Sequence, residues 1–141
     1  MPSLEVTMPR ATLEIREKLA LRLTRAVSES AGFEPEIFGI RFLEYDEGVA
    51  ACGGMLWNAG SKDAPYLHFL LYCPRLSRAQ KQSLATALSA AFVSVLKKPD
   101  WLPVIHICEH PYDNIVVGGK LLSDAYDECA QKRFYYDMGA V

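Results

Sequence analysis

The chain lacks a basic stripe: 15 Lys and Arg stand against 17 Asp and Glu over 141 residues, a formal net charge of −2. That balance excludes a nucleic-acid backbone as the expected partner. No apolar run reaches the length of a membrane span. The start has no basic segment followed by an apolar stretch, so no secretory leader is expected. Together these absences read as a cytoplasmic protein with neither nucleic-acid nor membrane partners. There is also no Cys-x-x-Cys pair. Cys52, Cys73, Cys108 and Cys129 are widely spaced and read as small buried apolar residues of a reducing compartment. His106 and Cys108 share a strand face and His110 follows, but such residues on a strand belong more often to core or surface than to a metal site. Neither metal nor cofactor is expected.

What is present is ordinary in amount: 50% hydrophobic and 23% charged residues, enough apolar mass for one shared core. Its arrangement is less ordinary, because much of it is written twice at an offset of 65 residues. Pro9-Arg10 recurs as Pro74-Arg75, Leu19 and Leu23 as Leu84 and Leu88, and Ala26 as Ala91. Ile40 recurs as Ile105, Glu44 as Glu109, and Gly53-Gly54 as Gly118-Gly119. Two copies are too few for a solenoid and fit one pseudo-symmetric domain over 1–141. Its repeats are 2–60 and 65–120, with a C-terminal tail at 121–141.

Each copy reads as strand, helix, strand. Leu4, Val6 and Met8 alternate along 3–8, whereas 66–73 is apolar throughout, as in a strand buried on both faces. Thr12 is the expected N-cap of the first helix, and Ser77-Arg78-Ala79-Gln80 a capping box opening the second. Ile15, Leu19, Leu23 and Val27 recur at helical spacing, as do Leu84, Leu88, Ala91 and Val95. Gly32 is expected to stop the first helix and Pro99 the second; second strands follow near 37–44 and 103–108. Strand–helix–strand makes each strand pair parallel by a right-handed crossover. The fold class is therefore α+β: a duplicated β-α-β unit giving a four-stranded mixed sheet with two helices on one face. The bare face calls for a neighbouring subunit. Leu121, Leu122, Tyr126, Phe134, Tyr135 and Tyr136 of the tail are expected to pack on a neighbour or cap the subunit.

The first residues, Met1-Pro2-Ser3-Leu4-Glu5-Val6, hold the chemistry. Once Met1 is trimmed, Pro2 presents a secondary amine at the head of a strand, fixed by its own ring. An α-amino group titrates near pH ~8 and falls further beside cations or in an apolar pocket, into the range of a useful general base. Pro65 is internal, so its nitrogen is an amide, and each chain holds at most one proline base.

Met1-Pro2 opening a strand, Pro-Arg before each helix, and Gly-Gly near the end of each unit resemble the tautomerase superfamily over residues 2–120. The second copy, with Arg75, Ser77, Gln80, Lys81 and Glu109 through Gly118-Gly119, looks like a 4-oxalocrotonate tautomerase subunit. Gly39-Ile40-Arg41 is similar to 5-carboxymethyl-2-hydroxymuconate isomerase, and Val-Thr-Met-Pro-Arg-Ala to the start of macrophage migration inhibitory factor. The resemblance implies a homotrimer around a barrel of sheets and an enzyme: a tautomerase or isomerase of a small unsaturated 2-hydroxy or 2-oxo acid. It implies Pro2 as general base, with Arg41, Arg75 and Arg10 binding the small carboxylate substrate and the developing enolate. Arginine suits that task because its planar fork grips carboxylates and keeps its charge. Family members carry Gly-Arg at the corner where this chain has Pro-Arg. Trp57, Tyr66, Phe38 and Tyr112 are the expected apolar wall, with Tyr112 placed on a loop beside the site. Two alternatives remain open at this point. One is haloacrylate dehalogenation or hydration, with Glu109 or Glu44 activating water. The other is a trimeric interaction protein that has lost the reaction.

Overall fold

The computed structural model describes residues 2–125. β1 (Ser3–Pro9) leads into α1 (Leu13–Ala31), a 3-10 turn at Pro35–Ile37 and β2 (Gly39–Tyr45). A small hairpin of β3 (Ala51–Cys52) and β4 (Met55–Leu56) closes the unit. The succession then repeats as β5 (His68–Cys73), α2 (Arg78–Leu96), β6 (Val104–Glu109) and a 3-10 turn at Tyr112–Asn114. A second hairpin, β7 (Val116–Val117) with β8 (Lys120–Leu121), precedes the short α3 (Leu122–Ala125). Helix bounds 13–31 and 78–96 differ by 65 at both ends, so the offset seen in the sequence is an offset of structure. Of the tail, Leu121 lies in β8 and Leu122 in α3; Tyr126, Phe134, Tyr135 and Tyr136 lie outside the described residues.

The sheet order is β2-β1-β5-β6. β1 and β2 run parallel, as do β5 and β6, and the two units meet through antiparallel β1 and β5. At that seam Ser3 faces Tyr72 and Thr7 faces His68. Shifting either pair by 65 yields the other, which is the register of a twofold axis crossing the seam. Leu4, Val6 and Met8 from β1 and Phe69, Leu71 and Cys73 from β5 point to the same side and are buried. They pack beneath Leu19, Leu23 and Val27 of α1 and Leu84, Leu88 and Phe92 of α2, with Phe69 and Phe92 edge to face at 5.1 Å. β5 is therefore buried on one face of the single chain, rather than on both. On the other face stand His68, Leu70 and Tyr72, flanked by exposed Leu43 and Val104.

Local chemistry explains the helix ends. The Thr12 hydroxyl accepts from the Ile15 amide at 3.3 Å, and the Ser77 hydroxyl from the Gln80 amide at 3.1 Å. The Gln80 side chain returns the bond to the Ser77 amide, completing the box. Gly32 ends α1 at φ 77, the left-handed cap that glycine adopts freely. α2 ends earlier than Pro99, at Lys97, whose φ of 56 takes the same cap 65 residues on despite its Cβ.

A buried carboxylate pins each strand–helix corner. Glu44 at the end of β2 accepts from the Ala11 amide (2.5 Å) and from Arg16 (2.9 Å). Its counterpart Glu109 accepts from the Leu76 amide (2.6 Å) and from Lys81 (2.6 Å). Both point to the helix side, with side chains only 8% and 18% exposed.

Because both units share one core, Leu23→Ala and Leu88→Ala should each cost about 2–5 kcal/mol. Urea denaturation followed by both fluorescence and circular dichroism should show one transition for each variant. Separate transitions for the two units would contradict a shared core.

Candidate active site

Pro2 is buried immediately before β1, and its carbonyl accepts the Gly39 amide at 3.3 Å, tying it to the start of β2. Since β5 runs the other way, the ends of β5 and β6 come to the same edge as the beginnings of β1 and β2. That edge gathers Pro2, Phe38, Arg75, His110 and Tyr112. The opposite edge gathers Arg10, Tyr45, Trp57, Tyr66 and Trp101. The structural counterpart of Pro2 in the second unit is Leu67, whose carbonyl accepts from Val104 at 3.1 Å just as Pro2 accepts from Gly39. Pro65 lies two residues before that counterpart. Leu67 is buried and its nitrogen is a chain amide, so Pro2 stands alone in its kind.

The arginines expected in the site divide between places. Arg75 lies on the β5–α2 corner, on the Pro2 edge, and lines a hollow of 410 Å³ with Leu76, Arg78, Lys81, Gln82 and Ala85. Arg41 is on β2 in register with Glu5, on the bare face of the sheet, with its Nη2 2.6 Å from Glu5 Oε1. Arg10 sits at the other end of β1, roughly 26 Å along the strand from Pro2 at the usual rise per residue. Its guanidinium is held by Asp46 at 2.8 Å and lines a cleft of 280 Å³ walled by Trp57 and Trp101. The hydrogen bond and charge of Asp46 raise the Arg10 pKa, and Arg10 in turn lowers that of Asp46. Within one chain, then, Arg75 shares the Pro2 edge, Arg41 lies part-way along the sheet, and Arg10 belongs to the far edge.

The aromatic candidates split likewise. Phe38 and Tyr112 are on the Pro2 edge, Phe38 just before β2 and Tyr112 in the turn after β6. Trp57 and Tyr66 are on the far one: Trp57 packs edge-on against Tyr45 (6.2 Å) and Trp101 (6.4 Å). Tyr66 stacks on His68 at 6.2 Å.

The cysteines and His110 depart in part from the expectations. Cys73 is buried as expected, and burial followed by the charge of Glu109 pushes its thiol up to about 12. Cys52 and Cys108, in contrast, are exposed, because each sits on a face or hairpin that one chain leaves bare. Cys129 lies outside the described residues. His110 was visible in the sequence only as a neighbour of Cys108. In the fold its ring lies parallel to Tyr72 at 6.1 Å, with an interplanar angle of 5°, and its Nε2 is buried with no hydrogen-bond partner among the described residues. Burial, and then the positive amino terminus, lower its pKa. Among the described residues, no cluster of three or more His, Cys, Asp or Glu is placed to hold a metal ion. No helix there is long and apolar enough to cross a membrane.

Residues 65–125 match the model of a family described as Tautomerase enzyme. The structure of native fused 4-OT superposes with a TM-score of 0.78 at 24% identity, covering 86% of this chain and 97% of that one. R7 fused 4-OT, an asymmetric trimer, gives 0.76 at 26% identity, covering 87% and 98%. N1, a member of the cis-3-chloroacrylic acid dehalogenase family, gives 0.70 at 19% identity, covering 96% and 99%. No curated protein matches the sequence. The resemblance of this chain to the tautomerase superfamily is upheld in its fold and in the match to its second unit.

The raised Cys73 pKa sets a direct check on which nucleophiles the site offers. Native protein treated with iodoacetamide at pH 8 should leave Cys73 unmodified while Cys52 reacts, as read by peptide mass mapping. Ready alkylation of Cys73 would mean the corner is open to solvent.

Proposed function

We propose, for a chain whose fold is that of the tautomerase superfamily, a cofactor-independent tautomerase of a small unsaturated 2-hydroxy or 2-oxo acid. Pro2, freed of Met1, is its general base. The observation that carries this reading is a buried Pro2, second in the chain, on the same sheet edge as an arginine corner. Tautomerisation needs one group that removes a proton from a hydroxyl or carbon and returns it elsewhere on the same molecule. A secondary amine with a pKa near neutrality does both. Shelter from water and nearby guanidinium charge lower that pKa. Arg75 binds the substrate carboxylate at the corner opening α2, where the helix start adds to the positive field. Tyr112 and Phe38 bound the apolar side.

Arg10 and Arg41 enter the same site only through assembly. The bare sheet face, with Leu43, Leu70 and Val104, is the surface by which three copies close into a homotrimer. In that assembly the Arg10 edge of one subunit meets the Pro2 edge of the next, and Arg41 is brought to the shared seam. R7 fused 4-OT, of similar fold, is a trimer.

Hydration or dehalogenation of a haloacrylate is less well supported. It asks for a carboxylate free to activate water, and both Glu44 and Glu109 already hold a backbone amide and a cation on the helix side of the sheet. A non-catalytic trimer would leave the sheltered amine without a use.

Pro2→Ala should lower kcat/KM for ketonisation of 2-hydroxymuconate by roughly 100-fold or more, the usual weight of a positioned base. Arg75→Ala should cost on the order of 10-fold, chiefly in KM, for the loss of a charged hydrogen bond to substrate. Intact mass should show Met1 absent. Full activity in Pro2→Ala, or retained methionine in active protein, would dispose of the reading.

A further inference from the structure

The twofold relating the units makes a comparison that neither unit offers alone. Tyr45 ends β2, and its hydroxyl donates to the Tyr66 carbonyl at 2.5 Å, across the seam from one unit to the other. Advancing Tyr45 by 65 gives His110; taking 65 from Tyr66 gives residue 1. By the twofold, the closed hydrogen bond of the far edge has as its counterpart on the Pro2 edge a contact between His110 and the nitrogen side of Pro2. Once Met1 is removed, no carbonyl exists at that point and the Pro2 nitrogen takes its place.

The local geometry agrees. The His110 amide bonds to the Cys73 carbonyl at 3.0 Å, and Pro2 continues the β1 register to the other side of Cys73. His110 and Pro2 thus flank one residue. The ring is laid flat on Tyr72, which faces Ser3 in the register. Tyr45 finds a partner where it stands, whereas the Nε2 of His110 is buried with none among the described residues. A buried polar atom left unpaired is costly unless something absent from the single folded chain completes it.

We infer that His110 is the positioning residue of the Pro2 amine: its Nε2 accepts the N–H of the ring nitrogen and so directs the remaining lone pair towards the substrate. This rests on the tautomerase reading above and adds the residue that orients its base. A neutral secondary amine has one N–H and one lone pair, so fixing the first fixes the second. When the amine takes the substrate's proton it has two N–H groups; one stays on His110 and the other faces the substrate, to be returned to carbon. No proton is transferred to the imidazole, which keeps its own on Nδ1. The titratable and charged groups around the ring are Tyr72 beneath it, Cys73 and Glu109 on the opposite face, Arg75 on the adjoining corner, and the amino terminus.

The test uses the full chain with Met1 removed and proline labelled with 15N, since among its prolines only an amino-terminal one titrates. An acceptor favours the charged amine, so His110→Phe, which keeps the stack on Tyr72, should lower the Pro2 pKa by about half a unit or more. The acid limb of kcat/KM for 2-hydroxymuconate should move to lower pH with it. kcat should fall on the order of 10-fold with KM little changed, because the lone pair is misdirected while carboxylate binding is intact. His110→Gln, which restores an acceptor, should recover most of both effects and guards against a folding defect in the phenylalanine variant. A Pro2 pKa and rate unchanged in His110→Phe, while Pro2→Ala abolishes turnover, would overturn the role of His110 and leave the tautomerase reading standing. A proline signal that never titrates would overturn both.

Discussion

The antiparallel pairing of β1 with β5 is the constraint on which the rest of the molecule depends. Parallel pairing within each unit is settled by the crossover helix, but the seam between units is not, and its direction decides which strand ends share an edge. Because the seam is antiparallel, the beginning of β1 lies beside the ends of β5 and β6. Pro2, Arg75 and His110, far apart in sequence, become neighbours for that reason alone. A parallel seam would have put Pro2 with Leu67 and left the arginine corners elsewhere. The seam is held by its apolar alternation: Leu4, Val6, Phe69 and Leu71 must all face α1 and α2, and a slip of either strand by one residue would turn that strand's pair outward.

The corners are fixed by a second, independent device. A buried carboxylate that accepts a backbone amide and a cation at once leaves little freedom to the turn between strand and helix. It appears twice with the same geometry, although Arg16 is replaced by Lys81 and Ala11 by Leu76. The identity of the cation matters less than the carboxylate, since either a planar or a point charge can reach it. The outer ends of the corners have been allowed to differ. Asp46 binds Arg10, but its counterpart is Pro111, which has no carboxylate to offer Arg75.

Much of this was legible in the residues, and the reasons are physical. The repeat was readable because Leu19, Leu23, Leu84 and Leu88 are core residues that tolerate little change. The caps at Thr12 and Ser77 were readable because capping depends on residues three apart. The end of α2 was not, because Lys97 adopts a backbone conformation that its side chain gives no reason to expect. Cys52 and Cys108 were taken for core because small sulfur side chains usually are; a sheet with one bare face leaves room for exceptions. The partners of Arg10 and Arg41 could not be told from sequence, since each lies 36 residues away. Pairing across strands, Arg41 with Glu5 and Arg10 with Asp46, follows from register alone. His110 had no signature of its own, and only comparison with Tyr45 in the folded units gives it a place.

Leu67 standing where symmetry would put a second Pro2 has a consequence for any larger particle. Such a chain is a lopsided brick, with a proline at one corner and a leucine at the other. A ring made from it head to tail would alternate the two, and would carry half the proline corners of an equal-sized ring in which every unit began with proline. What the leucine corners gain is latitude: their aromatic cleft beside Arg10 can be reshaped while the proline corners stay as they are.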